Sequence, residues 1–321
     1  MVGTTNDITQ TVSAAADGTP SAFDALIAAL GRAETRRATL AALIERSESR
    51  LWTHLLEFAA HDAASGQHGP ALDEERRRAG SAIASAFAAH GDHAGAAAQR
   101  RALQDGALNP DAQIRAYTAA LLGRRGDEAA IHALEGLLRD GDDHVRAAAA
   151  RALVDAEPDD RVLTLLIGCL TRFDIVAAEA VHALAHVGVR AVPPLLDELG
   201  NPNPWARWHA VRALADIGDA RALAPLLDLL DDADAGVRWE AAKALSKLGP
   251  PVIDPLLHAL AVRDLTPWFA EGAARILRRT VHGDHYGRVA PLEALLRQTP
   301  VPVHAPIEAA RVRAELQRSL D

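Results

Sequence analysis

The chain has 321 residues, 49% apolar but only 4% aromatic, with 34 Lys and Arg against 43 Asp and Glu and a formal net charge of −9. There is enough apolar material for a large core, and the acidic balance disfavours a protein whose main task is neutralising nucleic-acid phosphates. A single cysteine, Cys169, excludes an intrachain disulfide and a thiolate zinc site, while the dominance of alanine and leucine over β-branched strand formers points to an all-α fold.

Residues 1–20 are rich in Thr, Ser, Ala and Gly and read as a disordered N-terminus. They lack a basic stretch followed by an apolar one, so they do not read as a secretory signal. Residues 21–91 read as an N-terminal helical cap. Phe23 to Leu30 and Leu51 to Phe58 are amphipathic, and Asp73 to His90 looks like a degenerate second helix. With no run of about 18 uncharged apolar residues to span a membrane, the expected location is cytoplasmic.

From residue 92 to 280 the sequence repeats. Leu122, Leu153, Leu184, Leu214, Leu245 and Ile276 are spaced 31, 31, 30, 31 and 31 apart. A second series, Leu103, Leu134, Leu165, Leu195, Leu226 and Leu256, keeps the same period. Such a period holds two helices of about 12 residues and two turns. In the unit Asp219 to Gly249, a first helix over Ala220 to Leu230 carries Leu223, Leu226, Leu227 and Leu230 on one face. Asp234 can cap the second helix, and Gly249, like Gly126, Gly188 and Gly218, can stop it. Arg115, Arg146, Arg207 and Arg238 recur four residues after Asp111, Asp142, Asn203 and Asp234, a spacing that predicts a cap–cation pair. The pairs Ala149-Ala150, Ala180-Val181, Ala210-Val211 and Ala241-Ala242 suit close stacking. Pro194, Pro225 and Pro255 fall near first-helix starts, where proline does least harm. Residues 281–321, with Pro291 to Leu296 and Pro306 to Leu320, read as a polar-faced C-terminal cap.

The run Asp234-Ala235-Gly236-Val237-Arg238-Trp239-Glu240-Ala241-Ala242-Lys243-Ala244-Leu245 resembles the HEAT-like repeats of the phycobilisome-lyase type. The resemblance covers about six hairpins and implies a right-handed, armadillo-type α-solenoid whose second helices line a groove. It implies little about activity, because the same repeat serves enzymes, lyases and scaffolds. Deoxyhypusine hydroxylase, a HEAT-repeat di-iron enzyme, takes its ligands from His-Glu dipeptides, and this sequence has none.

With the leucine ladder buried, helical geometry puts three columns on the inner face. They are Tyr117, Ala148, Glu179, His209, Glu240 and Glu271; Ala120, Arg151, His182, Arg212, Lys243 and Ala274; and Arg124, Asp155, His186, Asp216, Lys247 and Arg278. Trp205, Trp208 and Trp239 cluster with them. Trp208 and Trp239 take equivalent, usually polar positions, whereas Trp268 reads as core at the Val237 position. Aromatics beside Arg and Glu are the composition of a binding hot spot. Glu179, His182 and His186 share one helix face, with His209 one repeat on, and such donors suit zinc or iron. Against this, i, i+3 pairs such as Glu179–His182 need no metal. His90-Gly91-Asp92-His93 and His282-Gly283-Asp284-His285 read as inter-helix turns. No P-loop, nucleophile elbow or His-Glu-x-x-His motif is present.

The expected function is a non-enzymatic scaffold that recognises a protein or peptide in the groove without a cofactor. A metal-dependent oxidoreductase or hydrolase using Glu179, His182, His186 and His209 is the alternative. A tetrapyrrole (bilin) lyase or chaperone, implied by the resemblance alone, is the third.

Overall fold

The computed structural model describes residues 5–65, 70–88, 94–156, 159–282 and 286–318. All regular elements among the described residues are helices. They divide into two compact units, Met1–Val162 and Leu163–Asp321.

The first unit opens with α1 (Thr5–Ala16), α2 (Pro20–Gly31), α3 (Ala33–Ile44), α4 (Ser49–Ser65) and α5 (Pro70–Phe87). The expectation of a disordered start is corrected here. Ile8, Val12 and Ala15 form an i, i+4, i+7 stripe that the Thr- and Ser-rich composition hides, and Val12 and Ala15 are buried where α1 packs on α2 and α3. Trp52 of α4 is fully buried, edge-on to Phe87 at 5.1 Å, and its indole N–H donates to the Arg46 carbonyl at 3.0 Å. There follow α6 (Ala96–Ala107), α7 (Ala112–Arg125), α8 (Glu128–Leu137), α9 (Asp143–Asp155) and α10 (Asp160–Cys169), the last running across the boundary between the units. The α7 and α9 backbones touch: a Cβ built on Gly123 would lie 2.4 Å from the Ala152 carbonyl oxygen.

The second unit continues with α11 (Ile175–Val187), α12 (Val192–Glu198), α13 (Pro204–Ile217), α14 (Leu223–Asp228), α15 (Ala235–Leu248), α16 (Ile253–Val262), α17 (Pro267–Thr280), α18 (Tyr286–Leu296) and α19 (Ala305–Gln317). Its first helices are composite. Short 3-10 turns over Gly188–Ala191, Ala220–Ala222 and Pro250–Val252 lead into α12, α14 and α16, so the continuous helix expected over Ala220 to Leu230 is broken at both ends. Pro194, Pro225 and Pro255 are each the third residue of their α-helix, where the missing N–H has no partner within the helix to lose. Gly218 takes the left-handed conformation (φ +75°) that ends α13.

The leucine ladder is the core: Leu153, Leu184, Leu214, Leu245 and Ile276 are all fully buried. Two registers differ from the sequence reading. Leu165 is only half-buried, and Leu166 fills the core position. Thr266 caps α17 through the Phe269 N–H, as Asp234 caps α15 through the Val237 N–H. α17 is thereby shifted by one residue, and Leu277 joins Ile276 in the core. Cys169 is buried, donates to the Leu165 carbonyl, and has its thiol pushed up to about 11 by burial. The run Ile175–Glu198 is long and apolar enough to cross a membrane by length and composition. Gly188 breaks its α-helix at φ +71°, and Val176, Val181, Leu184, Val192 and Leu195 are spent on the core of this unit.

The predicted cap–cation pair resolves into two separate devices. Asp111, Asp142, Asn203 and Asp234 do cap their helices, each accepting from the N–H two residues on. The arginines turn away from these caps. Arg115 grips Asp140 of the next hairpin with two bonds of 2.8 and 2.9 Å, and Arg207 grips Asp232 with two of 2.7 Å. Each also donates to a carbonyl six residues back, that of Asn109 or Asn201. Arg146 and Arg238 keep the carbonyl bond, to Asp140 and Asp232. Arg238 lies over the Trp268 ring, 4.3 Å from its centre.

Candidate functional site

In the second unit α11, α13, α15 and α17 lie side by side in close backbone contact, while α12, α14 and α16 approach one another less. Alanines allow this: Ala180, Ala210, Ala241 and Ala273 are fully buried between neighbours. The second helices thus form the more tightly stacked side of this unit.

Close stacking overturns part of the expected inner face. His209 and Glu240, five residues before their ladder leucines, are 3% and 4% exposed and lie between helices. The His209 Nδ1 sits 2.9 Å from the Leu170 carbonyl oxygen. That oxygen can only accept, so Nδ1 carries the proton. Burial holds the imidazole pKa below its ordinary value. Glu240 takes Lys243 Nζ at 3.1 and 3.4 Å. Glu271 falls out of the column because of the one-residue shift in α17; Gly272 takes the place, and Glu271 pairs with Arg275 at 3.1 Å.

Among the described residues, no three His, Cys, Asp or Glu side chains come together as a metal would require. Glu179 is half-buried, His182 and His186 are exposed along α11, and His209 points into the core at a carbonyl. The zinc or iron set drawn from these four positions therefore does not converge. His90, Gly91, Asp92, His93, Gly283, Asp284 and His285 lie outside the described residues. Tyr117 and Arg151 belong to the first unit. Tyr117 is half-buried, which raises its phenol pKa, and Arg151 is exposed but engaged.

What the fold does assemble is an aromatic run along the second helices. Trp205 (40% exposed) stacks on Phe173 (69% exposed) with ring centres 4.0 Å apart. Trp208 meets Trp205 edge-on at 6.3 Å, and the Arg212 guanidinium lies 4.9 Å over the Trp208 ring. One repeat on, Trp239 is 49% exposed with Lys243 above it at 5.6 Å. Trp268 is 51% exposed and not core: the shifted α17 gives the buried place to Phe269 and leaves Trp268 equivalent to Trp205. Asp216 pairs with Lys247 of the next helix. Phe173 was not singled out by sequence. Its signal is a lone aromatic in the polar turn Thr171-Arg172-Phe173-Asp174, just before the cap of α11.

The sequence matches the family described as HEAT repeats over residues 101–185 and 192–278, more than half of the chain. No curated protein matches it. Solved structures similar to it include yeast importin-β, Kap95p, from work on its binding to RanGDP, at 13% identity and a TM-score of 0.45 over 92% of this chain. The match covers 45% of that importin chain, so this chain spans under half its length. The CpcE–CpcF complex of phycocyanin lyase from Nostoc matches at 23% identity and a TM-score of 0.34, over 68% of this chain and 94% of that one. YibA of E. coli matches at 15% identity and a TM-score of 0.38, over 84% and 97%.

Proposed function

Because this chain belongs to the HEAT-repeat family, we propose that it is a binding scaffold whose second unit holds a protein or peptide segment against the second-helix face of residues 179–247. One observation carries the reading. Phe173, Trp205, Trp239 and Trp268 are large side chains left 40–69% exposed on or beside consecutive second helices, with Arg212 and Lys243 over neighbouring rings. Packing does not require them there, and aromatic–arginine clusters are where interface energy concentrates.

The test is affinity capture with the wild-type chain and with Trp208→Ala/Trp239→Ala, checked for folding by circular dichroism. A protein retained by the wild type and lost by the folded double variant supports the reading. Capture that is unchanged by the double variant overturns it.

A further inference from the structure

We infer that the segment held on this face is acidic and carries an aromatic or aliphatic anchor beside its carboxylates. The inference rests on the scaffold reading and names its partner class. It follows from which charges on the face are already satisfied.

Three acidic side chains of the face are paired with cations within it. Glu240 is buried under Lys243, Asp216 is paired with Lys247, and Glu271 with Arg275. Arg212 is different. It is half-buried with its guanidinium over the Trp208 ring, and among the described residues no carboxylate pairs with it. An arginine held over an aromatic ring has its position restricted and part of its hydration removed before any ligand arrives. Its remaining N–H donors form a planar fork suited to a carboxylate. Arg279 of α17 is exposed and has no ion pair among the described residues. The Phe173–Trp205–Trp208 run begins next to Arg212, so one ligand can place an apolar side chain on the rings and a carboxylate on the guanidinium. A basic segment would meet Arg212 and Lys243 unfavourably and would find Glu240 and Asp216 already engaged.

Stacked aromatics beside an arginine could also hold single-stranded nucleic acid. That partner needs a track of cations along its phosphates. Here Lys243 and Lys247 are each tied to a carboxylate on a chain of net charge −9. The observations favour the acidic peptide.

The full chain would be used to select from a random 12-residue peptide display library, with Trp208→Ala/Trp239→Ala as the subtracting target. The enriched peptides should carry Asp or Glu next to Phe, Trp, Leu or Ile. The tightest of them, fluorescein-labelled, should bind Arg212→Gln at least tenfold more weakly than wild type by anisotropy. Enrichment of basic or neutral peptides, or an unchanged affinity in Arg212→Gln, overturns the acidic-partner inference and leaves the scaffold reading standing. No enrichment over the tryptophan variant overturns both. A fluorescein-labelled oligo(U) that binds wild type tighter than the selected peptide overturns the inference in favour of nucleic acid.

Discussion

The α7–α9 stack of the first unit and the α13–α17 stack of the second are built with the same parts and present different surfaces. Both use an Asp or Asn cap, a ladder leucine and an arginine that grips the next hairpin's aspartate, Arg115–Asp140 in one and Arg207–Asp232 in the other. Six residues before the ladder leucine the first unit has Ala116 and Ala147, and the second has Trp208 and Trp239. Nine residues before, Gln113 and His144 stand where the second unit has Trp205 and, counted from Leu277 in the shifted α17, Trp268. The shared positions are those the stack needs in order to stand. Of the differing positions, Ala147 is buried in the first unit, whereas Trp205, Trp239 and Trp268 are left 40–51% exposed in the second.

The largest effect should come from breaking the shared part. Asp140 and Asp232 each accept two bonds from an arginine and a third from the backbone N–H two residues on, of Asp142 or Asp234. The side chains of Arg207 and Asp232 are only 14% and 6% exposed, and those of Arg115 and Asp140 17% and 11%. Removing one partner strands the other, which costs about 3–5 kcal/mol for a buried pair. Asp140→Ala and Asp232→Ala should therefore each destabilise their own unit by a similar amount, read by local hydrogen exchange in urea. A loss confined to one of the two variants would break the comparison, because the pair would then be a device of that unit alone.

A smaller effect follows from titrating the same pair. Hydrogen bonds from Arg115 hold the Asp140 carboxyl below its ordinary value. A carboxyl depressed in the folded state contributes stability that is present above its unfolded pKa of about 3.9 and lost as pH falls through the folded value. In Arg115→Gln that contribution is gone. The stability difference between wild type and variant should shrink as pH is lowered from 5 toward 2, in urea melts at each pH. A difference independent of pH would place the role of Arg115 in its carbonyl bonds to Asn109 and Pro110 rather than in the ion pair.

The fold was legible because its signal is long-range and repeated: two ladders with one period locate the hairpins without any local propensity argument. Where single residues decide, the reading slipped by one. Thr266 caps α17 one residue later than the ladder implies, which moves Trp268 outward and Glu271 out of its column. Helical angle alone leaves Trp239 and Lys243 exposed and Trp208 and Arg212 half-buried on their helices, which is where the structure has them. The inner face was misread at His209 and Glu240, because helical angle alone does not report how closely the next helix approaches, and alanine stacking covers both. Phe173 was missed because it precedes a helix and belongs to no column.

The smallest effect on stability sharpens the comparison most. Trp52 in the first unit and Trp239 in the second are the same residue type in opposite roles. Trp52 is fully buried against Phe87, and replacing it with alanine should cost about 3–5 kcal/mol. Trp239 is half exposed, and Lys243 lies 5.6 Å from its ring centre, a contact worth about 0.5–1 kcal/mol at an exposed site. Trp239→Ala should thus cost the second unit clearly less, in urea melts, than Trp52→Ala costs the first. If it cost as much as Trp52→Ala, the tryptophan would be holding the stack together and its exposure would no longer argue for a ligand. A near-neutral result leaves a large apolar ring facing water for no reason internal to the fold, which is the condition a binding surface has to meet.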